Sequence, residues 1–174
     1  MLRTIKVLIP LLCFAVGAAQ AENEQSRLYY GLELGNGKYD VSSTDDDTLI
    51  DIGGALGYNL TRFLAVEARL GAGSSDKNSL VGDSEVTRGS VLLKLQYKKD
   101  RVIAYAAGGA GVVNSDIDGV SDDDDGLVFG VGVELFGNHK TALTISYTNY
   151  ERDDAGLDYE VANVGFRHYF GSQF

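Results

Sequence analysis

The side chains best able to do chemistry in this 174-residue chain are two histidines, one cysteine and a set of 15 basic and 25 acidic residues. Acyl transfer by a side-chain nucleophile needs a hydroxyl or thiol, a histidine in hydrogen-bond reach and an acid to orient it. His139 falls in the short polar stretch "GNHK", and His168 lies near the end of the last apolar segment, so both belong to one end of the fold. The acidic stretches belong to the other. No catalytic constellation is expected, and a protease is disfavoured on the same ground. The clusters Asp45–Asp47, Asp116 with Asp118, and Asp122–Asp125 invite a calcium reading, yet none follows the D-x-D-x-D-G order with a glutamate at the twelfth position. They read as solvated, self-repelling loops, and neither a metal site nor a cofactor is expected.

The remaining charges are isolated within apolar segments. Glu33, Asp51, Glu67 and Glu134 stand against Arg69, Arg88, Lys94 and Arg167, four acids for four bases. That balance suits an occluded interior of low dielectric, where an unmatched charge is costly, better than a water-filled lining.

These residues are carried by eight stretches in which apolar and polar side chains alternate, the period of a strand with one apolar face. They are 27–35, 48–58, 63–73, 86–97, 102–112, 126–136, 141–150 and 159–170. Most are near ten residues, long enough for a tilted strand to cross a bilayer. The connections after the second, fourth and sixth are tight (59–62, 98–101 and 137–140), whereas the others, "NGKYDVSSTDDD", "SSDKNSLVGDSE", "NSDIDGVSDDDD" and "ERDDAGLD", are longer and acidic. Short turns at one end and long polar loops at the other predict an eight-stranded antiparallel up-and-down transmembrane β-barrel with its turns toward the periplasm.

Alternation alone leaves open which face is inside. In a soluble barrel the apolar row, from Leu32 and Leu34 through Val131 and Val133 to Val164 and Phe166, would fill the core. The polar face, however, is rich in glycine: Gly31, Gly35, Gly53, Gly57, Gly71, Gly130, Gly132 and Gly165 alternate with the single charges. Small residues between a few large ones suit a narrow lumen. Aromatics at the turn ends (Tyr58, Phe63, Tyr97, Phe136 and Phe170) are placed for a girdle at the headgroups. The membrane reading is therefore preferred.

The first 21 residues read as a secretory signal. Arg3 and Lys6 precede an apolar run that is too short to span and holds Pro10, and Ala19-Gln20-Ala21 fits a cleavage site. The mature domain is then residues 22–174. Cys13 leaves with the leader, so no disulfide is expected. Two of the 15 basic residues leave as well, and 13 against 25 acidic residues gives a net charge of −12. Nucleic acid is an unsuitable partner.

The export signal, the eight alternating segments, "YNLTRFLAVEARLG" with Glu67 on its polar face, and the closing "VGFRHYF" resemble the small outer-membrane β-barrel proteins of Gram-negative bacteria, the OmpA/OmpX-like group. The resemblance covers essentially the whole mature chain. It implies the outer membrane as location; contact with outer-membrane lipid and lipopolysaccharide, and a monomer, are expected. It also implies that Val164, Phe166, Phe170 and Phe174, which share one parity, act as an assembly signal for the barrel-assembly machinery and periplasmic chaperones. Phe170 then ends the strand and "GSQF" overhangs it.

Three functions follow, in order of preference. The first is a non-enzymatic barrel with a structural or surface-interaction role through acidic loops of unknown ligand, with weak divalent bridging to lipopolysaccharide as one form of it. The second is a narrow passive channel, and the third a lipid-modifying enzyme. Within the lumen, a tight turn at 59–62 predicts that facing residues on the second and third segments sum to about 120, pairing Asp51 with Arg69. Glu67 with Lys94, and Glu33 with Arg167 across the closing seam, are the other expected pairs.

Overall fold

The computed structural model describes residues 27–39, 47–75, 84–117, 120–151, 159–171 and Gln173. The leader, Phe174, Asp45, Asp46 and Asp118 lie outside the described residues.

Eight strands run in chain order: β1 Leu28–Tyr39, β2 Asp47–Asn59, β3 Leu64–Ser75, β4 Ser84–Lys99, β5 Val102–Ile117, β6 Val120–Phe136, β7 Thr141–Tyr150 and β8 Tyr159–Tyr169. Each pairs antiparallel with its sequence neighbours, and β8 returns to β1, so the sheet is a closed barrel. Closure is what a bilayer demands, because every strand then finds hydrogen-bond partners on both sides and no edge faces hydrocarbon. The seam between β1 and β8 runs from Tyr29 opposite Tyr169 to Tyr39 opposite Tyr159, and the amide of Phe170 extends it by donating to the Leu28 carbonyl at 3.1 Å.

The direction of the side chains decides between the two barrel types. Leu34, Ile50, Ile52, Leu70 and Leu95 are 60 to 77% exposed, and the rest of the apolar row also points out, with only Val66 and Val91 half-buried. A soluble barrel would turn this row inward. Here a continuous apolar wall faces outward and the charged face fills the interior, as a lipid-embedded barrel requires.

Three expectations need correction. The stretch 114–125 is only partly a loop, since β5 and β6 continue through it, pairing Asn114 with Asp123 and Ile117 with Val120. The β-branched residues Val112, Val113, Ile117 and Val120 sustain the strand beyond the apolar wall. The turn between β2 and β3 lies two residues later than expected. Thr61 Oγ1 accepts from the amides of Phe63 and Leu64, and the amides of Leu60 and Thr61 both donate to the Leu64 carbonyl, which centres the turn on Arg62. The register sum is therefore 124, with Asp51 opposite Gly73 and Arg69 opposite Ala55. Finally, Phe136 is not a girdle residue. Two residues on from the inward Glu134, it shares that inward parity and packs on Tyr169 at 5.4 Å between ring centroids.

The interior has two apolar layers. Near the loop end, Leu49, Val86, Leu92, Val113, Val128, Tyr150, Tyr159 and Val161 cluster; near the turn end, Tyr29, Ala65, Ile103, Phe136, Ala142 and Tyr169 do so.

Candidate functional site

All eight expected lumen charges are buried, none more than 4% exposed, and they separate into two charge-neutral groups. The smaller group lies toward the loop end. Arg88 on β4 grips Asp51 on β2 with both Nε, at 3.0 Å, and Nη2, at 2.5 Å, a bidentate geometry that fixes orientation as well as charge. Its Nη1 donates to the Tyr150 hydroxyl at 2.9 Å, and the Tyr159 hydroxyl donates to Asp51 Oδ2 at 3.2 Å. Arg88 takes the place expected for Arg69 because the register shift carries Arg69 away from Asp51. The guanidinium crosses Gly71 and Gly53 to get there: a Cβ on Gly71 would stand 2.8 Å from the guanidinium carbon. The glycines that signalled a narrow lumen are the space these large side chains occupy.

The larger group holds three acids and three bases. Arg167 on β8 reaches Glu33 on β1 at 2.8 Å, Glu134 on β6 at 2.7 Å and Glu67 on β3 at 3.2 Å. Lys94 meets Glu134 at 2.5 Å and Glu67 at 3.7 Å. Arg69 holds its own strand neighbour Glu67 at 2.6 Å, two residues away on the same face, and donates to Thr148 Oγ1 on β7 at 2.9 Å. The expected contacts of Glu67 with Lys94 and Glu33 with Arg167 are both among these, as parts of one network instead of separate pairs.

Sequence reasoning missed the tyrosines. Tyr29 donates to Glu67 at 2.6 Å and Tyr169 to Glu134 at 2.5 Å, while Lys94 sits 4.0 Å over the Tyr105 ring, an added cation–π contact. The signal was present, since Tyr29 and Tyr169 share parity with Glu33 and Arg167. Also missed was a polar seal at the turn end. The Gln173 amide donates to the His139 carbonyl at 3.0 Å, and its side-chain oxygen accepts from Lys98 at 2.8 Å and Asn59 at 3.4 Å. The expected overhang after Phe170 thus brings Gln173 back under the barrel.

Outside the lumen, Val164, Phe166 and Phe170 share the outward face, and Phe170 stands in an aromatic group with Tyr30 and His168. His168 Nδ1 lies 3.1 Å from Thr141 Oγ1. The His139 and His168 side chains are both at the turn end, and no acidic side chain is recorded in contact with either among the described residues.

The ends of the barrel differ sharply in charge. The loop-side segments 38–47, 76–85, 116–125 and 151–160 hold 18 Asp and Glu against three Lys and Arg, whereas the turns 59–63, 98–101 and 137–140 hold five Lys and Arg against one Asp. The excess acid of the sequence is thus carried by the segments that join the strands at one end, and the excess base by the turns at the other, with a neutral lumen between them.

A family profile for the outer membrane protein beta-barrel domain matches residues 7–170. The chain belongs to this outer-membrane family. No curated protein sequence matches it. Solved structures similar to it include Neisserial surface protein A (TM-score 0.72, 14% identity, covering 86% of this chain and 100% of that one). Similar too are Ail, the attachment invasion locus protein of Yersinia pestis (0.61, 15%, 82% and 99%), and OprG from Pseudomonas aeruginosa (0.63, 12%, 86% and 99%). At such identities the likeness concerns the fold. Together with the outward apolar wall, the family places the protein in the outer membrane.

Proposed function

We propose that the protein is a non-enzymatic, monomeric envelope barrel whose acidic loop end faces the cell exterior and binds cationic ligands or surfaces, with its turn end in the periplasm. One observation carries the reading: the lumen is packed and electrically neutral, so the excess negative charge is displayed at the loop end, where it attracts positive partners over about a Debye length. Ail has been crystallised with the heparin analogue sucrose octasulfate. A polyanion of that kind would be repelled here, so the ligand sought is of opposite charge. Divalent bridging to lipopolysaccharide phosphates is a second expression of the same surface.

The test is to delete 116–125, which carries six aspartates, and measure adhesion of whole cells to a polylysine-coated surface at low and high salt. Salt-sensitive adhesion that falls in the deletion supports the proposal; adhesion unchanged by the deletion overturns it. Migration that differs before and after boiling in SDS checks that the barrel is closed in each case.

The narrow-channel reading is supported by a separate feature. Among the described residues, Thr144 Oγ1, Ser146 Oγ, both polar atoms of Asn163 and Arg167 Nε are buried without a hydrogen-bond partner, a row that invites water. Steady conductance steps in planar bilayers would favour it over a sealed lumen. An unchanged lipid A profile on expression would speak against the enzyme.

We also assign to Val164, Phe166, Phe170 and Phe174 the role of an assembly signal read by the barrel-assembly machinery. Phe170→Ala is expected to reduce surface levels more than Phe174→Ala. Equal surface levels of both variants and the wild type would rule that role out.

A further inference from the structure

The outward wall changes character along β5, where Ala104, Ala106, Gly108 and Ala110 succeed one another at every second position. Near the turn end this strip is the floor of an open groove of about 450 Å³, lined by Phe63, Leu95, Tyr97, Ala104 and Ala106. Larger side chains flank the floor on both sides, because the register sets Tyr97 and Leu95 of β4 and Val133 and Val131 of β6 against Ala104 and Ala106. The groove spans Ala104 and Ala106; beyond it the small-residue row continues to Ala110, about 20 Å in all, with the Phe129 ring standing against Gly108.

The turn-end mouth of the groove is cationic. The Arg62 guanidinium lies 4.2 Å over the Phe63 ring, which holds it at the rim. Lys99 and Arg101 are exposed at the adjoining turn, with Asp100 the one acidic residue there. Lys98 is turned inward to Gln173 and takes no part.

We propose that this groove binds an anionic phospholipid, with an acyl chain along the alanine floor and the phosphate held by Arg62, Lys99 and Arg101. Charge complementarity selects this occupant. A second copy docked symmetrically would bring these cations face to face with their own kind, whereas a lipid phosphate satisfies guanidinium and ammonium groups together. The site belongs to the periplasmic leaflet if the turn end faces the periplasm, so that part rests on the orientation proposed above.

The barrel, refolded in micelles holding equal phosphatidylglycerol and phosphatidylethanolamine, is read by native mass spectrometry. This assay is blind to orientation, so a negative result bears on the groove and not on the function proposed for the loops. One phosphatidylglycerol is expected to be retained with a preference of about tenfold or more, given the contribution of each basic residue near an anionic headgroup. Ala104→Leu with Ala106→Leu fills the floor and is expected to abolish retention. Arg62→Gln with Arg101→Gln lies in the turns, spares the strands, and is expected to remove the preference while leaving lipid bound. Equal retention of both lipids by the wild type, or unchanged retention by the filled variant, overturns the proposal. A wild-type dimer that the filled variant loses would assign the groove to a second copy and overturn it as well.

Discussion

Asp51 and Arg88 form a closed couple near the loop end, while six residues share their charges nearer the turn end. In the couple, all three guanidinium nitrogens and both carboxylate oxygens are engaged, and the hydroxyls of Tyr150 and Tyr159 complete it. In the larger group, Glu67 alone is met by Arg69, Lys94 and Arg167, and a side-chain nitrogen of Arg167 is left without a partner. The couple is complete and irreplaceable; the network is redundant and incomplete. A buried ion deprived of its only counter-ion is costly, whereas one whose neighbours can re-aim, or be reached by water, is less so.

The sharpest way to break the comparison is Arg88→Met. It leaves Asp51 buried with the Tyr159 hydroxyl as its remaining partner, and the refolded barrel should lose roughly 3 to 5 kcal/mol, read from the urea midpoint in lipid vesicles. Retention of the wild-type midpoint would mean that water already reaches Asp51 and that the loop-end couple is not sealed.

Glu67→Gln probes the network. The amide keeps an acceptor for Tyr29 or Arg69 and removes one negative charge from a group in which Glu33 and Glu134 still face three cations. The expected loss is about 1 to 3 kcal/mol, that of weakening hydrogen bonds to charged groups, because Arg69, which loses its carboxylate partner, keeps its bonds to the Thr148 and Tyr105 hydroxyls. A loss equal to that of Arg88→Met would show that sharing gives no protection. No loss, together with conductance by the wild type, would mean an open, wet lumen and would favour the channel.

The contrast between the two groups was only half visible in the sequence. Period-two alternation named the eight strands and the parity of every lumen charge, because a strand has no other way to present side chains. Which charges meet depends on register, and register depends on turns. The hydroxyl of Thr61, bonded to two amides, moved the apex of one turn by two residues and thereby exchanged Arg69 for Arg88 beside Asp51. Even correct register pairs only adjacent strands. The contacts of β4 with β6 through Lys94 and Glu134, or of β4 with β7 through Arg88 and Tyr150, cross the lumen, and no local pattern encodes them. Phe136 was misread for a related reason: its type suggested a girdle, while its parity with Glu134 had already assigned it inward. The continuation of β5 and β6 through an aspartate-rich stretch was hidden because β-propensity is weak evidence wherever pairing dominates.

The smallest effect is expected from removing both members of the couple. In Asp51→Leu with Arg88→Met no ion is stranded, and the new side chains adjoin Leu49, Val86, Leu92 and Val113 of an apolar layer already in place. What changes is hydroxyl chemistry: Tyr159 loses its bond to Asp51, and Tyr150 loses its bond to Arg88 and keeps Ser90 Oγ at 3.5 Å. Those losses amount to about 1 kcal/mol each at most, and relief from the desolvation of two charges offsets them, so the double variant should lie within about 1 kcal/mol of the wild type. The corresponding coupling between the two sites in a double-mutant cycle is then at least about 2 kcal/mol. Should the double variant be as unstable as Arg88→Met alone, the stranded charge is not the cause. The couple would then matter for the shape it gives the glycine-lined space at Gly53 and Gly71, which a longer or differently branched side chain fails to fill.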